Sequence, residues 1–261
     1  MLLVVDIGNT LTKVGIYDND LRLASAAFAT DKTADAARFG SSVSSAVGSD
    51  FTTSIVSSVV PELNSAVIEA LADIGGTEPL VVTNDLDFGF TIEYCPLEDA
   101  GSDRLINTFS AVERYGVPII VCSFGTAMTL DHVDAGRVLT GGLIAPGMNT
   151  LAAALKLTTS RLPEVSIELP ATRLQNTTVG SLRSGIVYGY FGLVEGLLAG
   201  VKHELGFDGK VIATGGFAPL IAENTSQIDI VDQDLMLDGL KALYDRNFAA
   251  RQAPDKQPIG S

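Results

Sequence analysis

The chain opens the same way twice, and that repetition limits what it can fold into. An apolar run over residues 1–5 leads into Asp6-Ile7-Gly8-Asn9-Thr10, a glycine bend rich in amide and hydroxyl groups. A second extended stretch over 12–17 and the turn Asp18-Asn19-Asp20 follow. Residues 119–122 repeat the apolar run, and Ser123-Phe124-Gly125-Thr126-Ala127-Met128-Thr129 repeats the bend. Another extended stretch then ends at Asp134-Ala135-Gly136. Short apolar runs bounded by turn residues read as buried strands, and a glycine bend between two of them makes a hairpin. A unit recurring in the same order implies duplication.

Apolar spacing predicts helices over 34–47, 62–74, 103–115, 181–205 and 235–247, and strands over 53–59, 80–82 and 210–213. Strands alternating with helices make an α/β layer fold. A third glycine turn, Thr214-Gly215-Gly216-Phe217-Ala218, follows the last of these strands. The expected division is a first domain over 1–116, a second over 117–248, and a disordered tail over 249–261, which holds two prolines and little apolar content.

With 261 residues, 46% of them hydrophobic, the chain can bury a large core. No apolar run is read as approaching the roughly 20 residues that span a bilayer, and the start lacks the basic flank of a secretory signal, so a cytoplasmic location is expected. A formal charge of −14 with no basic cluster argues against nucleic acid or an anionic membrane as partner. An anionic substrate must then be met by local donors and a metal ion. Cys95 and Cys122 lack metal-ligand spacing and are expected as thiols, Cys122 buried in a strand. His132 and His203 have no paired ligands and are assigned no chemistry.

A carboxylate at the end of a buried strand, followed by a glycine turn, can hold hydrated Mg²⁺ beside a triphosphate, and glycine lets backbone approach phosphate closely. Residue types alone leave the Asp6 turn equally open to a purely structural role, since Asp-x-Gly turns are common in hairpins. On the same basis Asp103 reads as a helix cap paired with Arg104, and Lys13 as a solvated strand lysine.

The three glycine turns, in this order, resemble the two phosphate motifs and the adenosine motif of the actin, hexokinase and sugar-kinase superfamily. That resemblance implies two ribonuclease-H-like domains, 1–116 and 117–248, closing on ATP. Gly101-Ser102-Asp103-Arg104, with Tyr94 seven residues ahead of its glycine, is similar to the Gly-Ala-Asp-Arg signature of type III pantothenate kinases. Residues 57–61, 141–147 (GGLIAPG), Leu162-Pro163, Thr178 with Ser184-Gly185, 211–216 (VIATGG) and 237–244 match as well. The resemblance implies ATP-dependent phosphorylation of the primary hydroxyl of pantothenate, the first step toward coenzyme A. It further implies Mg²⁺, a monovalent cation such as K⁺ or NH₄⁺, and a homodimer with the substrate pocket at or near the subunit interface.

The same resemblance implies the roles. Asp103 would be the general base that takes the alcohol proton, which reverses the preference for a cap. Arg104 would bind polar oxygens of pantothenate, with Tyr94, Gly101, Ser102 and Thr178 also at substrate positions. Asp6 would act on magnesium through water. ATP would meet Ile7, Gly8, Asn9, Thr10, Leu11, Thr12 and Lys13 from the first domain, and Thr126, Gly215 and Gly216 from the second. The carboxylates at positions 6 and 103 are expected to converge across a cleft. Two rivals are an inactive ligand-binding or regulatory homologue and a kinase for another small alcohol.

The sequence departs from the family at one chemically legible position. The second phosphate motif there usually reads Asp-Phe-Gly-Thr, and its carboxylate ligates the monovalent cation; here the position is Ser123. A full charge at about 2.8 Å gives roughly 6 kcal/mol of gross attraction at an effective dielectric near about 20, whereas a millimolar site is worth about 4 kcal/mol in all. A hydroxyl in its place should weaken the cation site severely. Leu11, Gln175 and Thr177 depart as well, where asparagine, glycine and asparagine are common.

Overall fold

The structure, a computed structural model, describes residues 1–252, with side chains to residue 248. It divides into two compact units: residues 1–90, 95–110 and 234 onward form unit 1, and residues 91–94 and 111–233 form unit 2.

In unit 1, β1 (Leu2–Ile7), β2 (Leu11–Asp18), β3 (Leu21–Ala29), β4 (Thr53–Ser58) and β5 (Leu80–Val81) form a sheet in the order β3-β2-β1-β4-β5. The β1/β2 and β2/β3 pairs are antiparallel, and β1/β4 and β4/β5 are parallel. In unit 2, β7 (Ile119–Phe124), β8 (Ala127–Val133), β9 (Val138–Pro146), β10 (Lys210–Thr214) and β11 (Ile230–Val231) follow the same order and directions. A short sixth strand, β6 (Thr91–Ile92), adds to the β9 edge. The repeat read from the glycine bends therefore extends through both sheets.

All six residues of β1 are buried, as a strand covered on both faces requires. Successive side chains alternate, so Leu3, Val5 and Ile7 join the core that Phe39 and Val43 of α1 (Ala36–Val47) and Val67 and Leu71 of α2 (Asn64–Gly75) complete. Asp35 caps α1 by accepting from Arg38 N, and Gly76, left-handed at φ 73°, ends α2. Even-numbered β1 residues face the other way. That face carries α7 (Leu235–Gln252), whose Leu237 approaches Gly15 beside Val4. Tyr17 also donates to Asp238 of α7. The N-terminal part of α3 (Ser102–Tyr115) belongs to this unit and its later residues to unit 2. Gly239 of α7 lies so close to Ile106 that a Cβ there would meet its carbonyl at 3.0 Å.

Unit 2 packs its sheet against α5 (Thr178–Leu205), which buries Ile186, Val187, Tyr190, Phe191, Val194 and Leu198 against Ile120, Cys122 and Leu130. Thr177 caps α5 by accepting from Gly180 N, and Gly206 closes it at φ 58°. By length and composition alone α5 could cross a membrane, which the sequence reading did not expect. Two shorter helices, α4 (Met148–Thr158) and α6 (Ala218–Ala222), complete the unit.

Several boundaries differ from expectation. The closing helix, placed by sequence with the second domain, belongs to unit 1, because its apolar face covers the β1-β2-β4 surface. It also runs to Gln252, into the stretch expected as a tail; residues 253–261 lie outside the described residues. The strands β3 and β9 and the helix α4 were not anticipated. β3 is mostly exposed at a sheet edge and carries no clean apolar alternation to read.

Candidate active site

The face of the unit 1 sheet opposite the Leu3-Val5-Ile7 core carries a polar row. Lys13 pairs with Asp6 across β2/β1, and Asp6 with Ser57 across β1/β4. Their apolar neighbours Val14, Val5, Ile7 and Val56 all enter the core, so alternation turns these three toward the opposite face. Ser57 Oγ lies 2.9 Å from Ser102 Oγ, at the first residue of α3, and this links the row to the segment that presents Asp103 and Arg104.

Asp6 is buried, and burial pushes its carboxyl up to about 7. Lys13 pulls it down, and the nearby Asp103 charge pushes it up again. The two carboxylates are thus within electrostatic reach inside one unit. Asp103 is half-buried and Arg104 buried. Gly101 accepts from both Arg104 N and Leu105 N at 3.1 Å, and a Cβ on it would sit 2.8 Å from Asp103 Oδ1. A side chain at 101 would therefore displace that carboxylate.

The turn after β1 is tight. Gly8 N donates to Leu11 O at 3.0 Å, and a Cβ on Gly8 would sit 3.0 Å from the same oxygen. Asn9 and Thr10 are exposed beyond it. Ile7 is fully buried in the core and Thr12 is buried with its hydroxyl 3.0 Å from Thr30 Oγ1, so neither side chain faces outward here. Leu11 is exposed.

Unit 2 holds a matching pair of turns. Parallel pairing of β10 with β7 sets Thr214 beside Ser123, so the Gly125-Thr126 bend and the Gly215-Gly216 turn leave the sheet side by side. Phe217 N reaches Phe124 O at 3.4 Å. Gly215 sits at φ 93°, and a Cβ there would lie 2.6 Å from Phe124 O. Thr126 O accepts from Gly147 N at 3.0 Å and from Thr150 Oγ1 at 2.6 Å. A Cβ at Gly147 would lie 2.6 Å from Thr126 O and nearer still to Gly125 O. Such backbone crowding leaves glycine as the only fit.

Ser123 occupies in β7 the place that Asp6 occupies in β1, fifth in a six-residue strand. Its cross-strand partners are Thr129 and Thr214. Where unit 1 carries Lys13, Asp6 and Ser57, unit 2 carries three neutral hydroxyls. Tyr94 lies two residues past β6, half-buried, and Thr178 is the exposed first residue of α5. Cys122 is buried in β7 and Cys95 exposed.

No group of three or more His, Cys, Asp or Glu capable of gathering a metal exists among the described residues. One buried carboxylate beside a glycine turn instead suits Mg²⁺, which keeps its waters and binds through one or two carboxylates plus substrate phosphates. The Cβ positions of Gly8 and Gly215 are taken up by protein backbone, Leu11 O and Phe124 O, so glycine keeps both turns tight. The hydroxyl row at Ser123 does not supply the anionic donor that a monovalent cation would gain from a carboxylate. Sequence reasoning gave no role to Ser57 or Gly147, although both lie in matched segments. Their roles rest on strand register and backbone crowding.

The family model for type III pantothenate kinase matches residues 2–200. A protein of that name from Acidiphilium cryptum is 39% identical over 257 residues, covering 95% of this chain and 96% of its own length. One from Brevibacillus brevis is 37% identical over 253 residues, covering 95% and 99%. Among solved structures, a candidate Baf family transcriptional activator from Campylobacter jejuni aligns with a TM-score of 0.59 at 18% identity over 95% of this chain and 99% of its own. A candidate 2-dehydro-3-deoxygalactonokinase from Sinorhizobium meliloti gives 0.58 at 12% over 100% of both. These distant likenesses show the fold alone, the two-sheet α/β architecture described above. With signature residues, sheet order and near-full-length similarity in agreement, the chain belongs to the type III pantothenate kinase family.

Proposed function

We propose that this chain transfers the γ-phosphoryl group of ATP to the primary hydroxyl of pantothenate, giving 4′-phosphopantothenate, the first step toward coenzyme A. The observation that carries this reading is the electrostatic coupling of Asp6 to Asp103 within a chain whose family match is nearly full length. Mg·ATP supplies the electrophilic phosphorus and the leaving group. Asp103 accepts the hydroxyl proton as the alcohol attacks, a task that needs a carboxylate within hydrogen-bond reach. Arg104 holds polar oxygens of pantothenate, with Tyr94, Gly101, Ser102 and Thr178 completing its binding. Asp6 would hold magnesium, which would supply charge neutralisation at the phosphates, while Gly8 to Lys13 would meet those phosphates and Thr126, Gly215 and Gly216 would receive the rest of the nucleotide.

The cytoplasm is the proposed location and a homodimer the proposed assembly. In support of the dimer, Gly185, Gly189, Gly192, Gly196 and Gly200 of α5 have open space where a Cβ would stand. A cavity of about 380 Å³ on this helix is lined by Leu151, Leu155, Leu182 and Leu193. Small residues on a helix let another backbone approach, and sedimentation equilibrium tests the assembly directly.

The hydroxyls at Ser123, Thr129 and Thr214 favour a second reading, an enzyme with a weakened monovalent-cation requirement or a homologue that binds without turnover. An ADP-release assay with pantothenate, run with and without K⁺ or NH₄⁺, decides between them. Pantothenate-dependent ADP is expected. Its absence under every cation, together with calorimetric binding of ATP, would establish the non-catalytic homologue instead.

A further inference from the structure

The connection between β3 and α1 carries no assigned role, yet it grips each residue of the turn after β1. Thr30 Oγ1 donates to Gly8 O at 2.8 Å, and Thr30 N donates to Thr10 O at 3.0 Å. Lys32 Nζ donates to Asn9 Oδ1 at 2.7 Å. A hydroxyl has one proton to give, so with Thr30 committed to Gly8 O, the 3.0 Å contact with Thr12 Oγ1 has Thr12 as donor. Thr12 is 1% exposed. The brace is therefore seated on a buried side chain at one end and on the turn at the other.

The turn needs such support. Gly8 is bonded through N to Leu11 O and through O to Thr30, so both of its backbone groups are tied. A glycine-containing turn is otherwise the most mobile backbone in a hairpin, and a mobile turn would give up part of its phosphate affinity to ordering entropy. Lys32, also 3.9 Å from Glu62 Oε1, brings a cation to the turn in a chain of net charge −14.

We infer that Thr30 is a positioning residue for nucleotide binding: it holds the Gly8-Asn9-Thr10 turn in its phosphate-receiving form, with Lys32 as the outer arm of the same brace. This rests on the proposed reading of that turn as the phosphate site. It extends the site to a segment some twenty residues along the chain.

The test compares Thr30→Val, which keeps the shape but removes the hydroxyl, with Thr30→Ser, which keeps the hydroxyl. Mg·ATP binding is measured by calorimetry, alongside KM for ATP, KM for pantothenate and kcat. Loss of both hydrogen bonds of the Thr30 hydroxyl predicts about ten- to thirtyfold weaker ATP binding in Thr30→Val. KM for pantothenate should be unchanged, and Thr30→Ser should stay within about threefold of wild type. Equal ATP affinity in Thr30→Val and wild type overturns the brace, as does an equal loss in Thr30→Ser. Should Thr30→Val not fold, the exposed Lys32→Met decides in the same way, with about threefold weaker ATP binding expected and no change overturning the inference. A wild-type chain that binds no Mg·ATP would instead remove the phosphate-site reading itself.

Discussion

Replacing Asp6 with asparagine should make the ligand-free protein more stable while removing its activity, and the gain should grow with pH. Burial raises the Asp6 carboxyl from an ordinary 3.8 to about 7, so between those values the folded chain holds a proton that the unfolded chain releases. Stability then falls as pH rises, because the folded state binds more protons than the unfolded one. Converted at about 1.4 kcal/mol per decade, the cost of Asp6 is about 2 kcal/mol at pH 5 and about 4 kcal/mol at pH 8. Asn cannot ionise, and any shape difference it introduces is the same at both pH values. The stability of Asp6→Asn minus that of wild type should therefore rise by about 2 kcal/mol from pH 5 to pH 8. Urea unfolding in a chelator without nucleotide measures this. An Asn advantage that is flat or reversed across that range would refute the argument that a desolvated carboxylate is held ready for a cation.

Other outcomes follow from the same geometry. Asp103→Asn should lower kcat by about 10²- to 10⁴-fold in the ADP-release assay while leaving ATP binding near wild type, as loss of a general base requires. Ser123→Asp restores an anionic donor to the row of Ser123, Thr129 and Thr214. It should create or strengthen activation by K⁺, read as the ratio of rates with and without the cation. Gly147→Ala forces a Cβ to 2.6 Å from Thr126 O, a backbone atom that cannot swing aside, and should cost about 3 kcal/mol in urea unfolding.

How much of this was legible beforehand depends on the range of the interaction. The bends at Gly8, Gly125 and Gly215 are short runs of turn residues directly after an apolar strand, and all three could be read directly. So could Asp103 and Arg104, which sit together at the start of one helix. By contrast, Ser57 gains meaning only because β4 runs parallel to β1 in the register that sets it beside Asp6 and within 2.9 Å of Ser102. Thr30 looks like an ordinary strand end until pairing with β2 carries it back to Gly8. The closing helix carries no mark of which unit it will cover.

The amino-acid sequence alone determined the repeated strand-bend-strand units, the α/β class and the family signature, because each is written in residues close together along the chain. Only the tertiary structure decided the partners of the site residues and the protonation of Asp6. Strand register and burial are set by contacts between residues far apart in sequence, and the electrostatic cost of a carboxylate depends on how much water those contacts exclude.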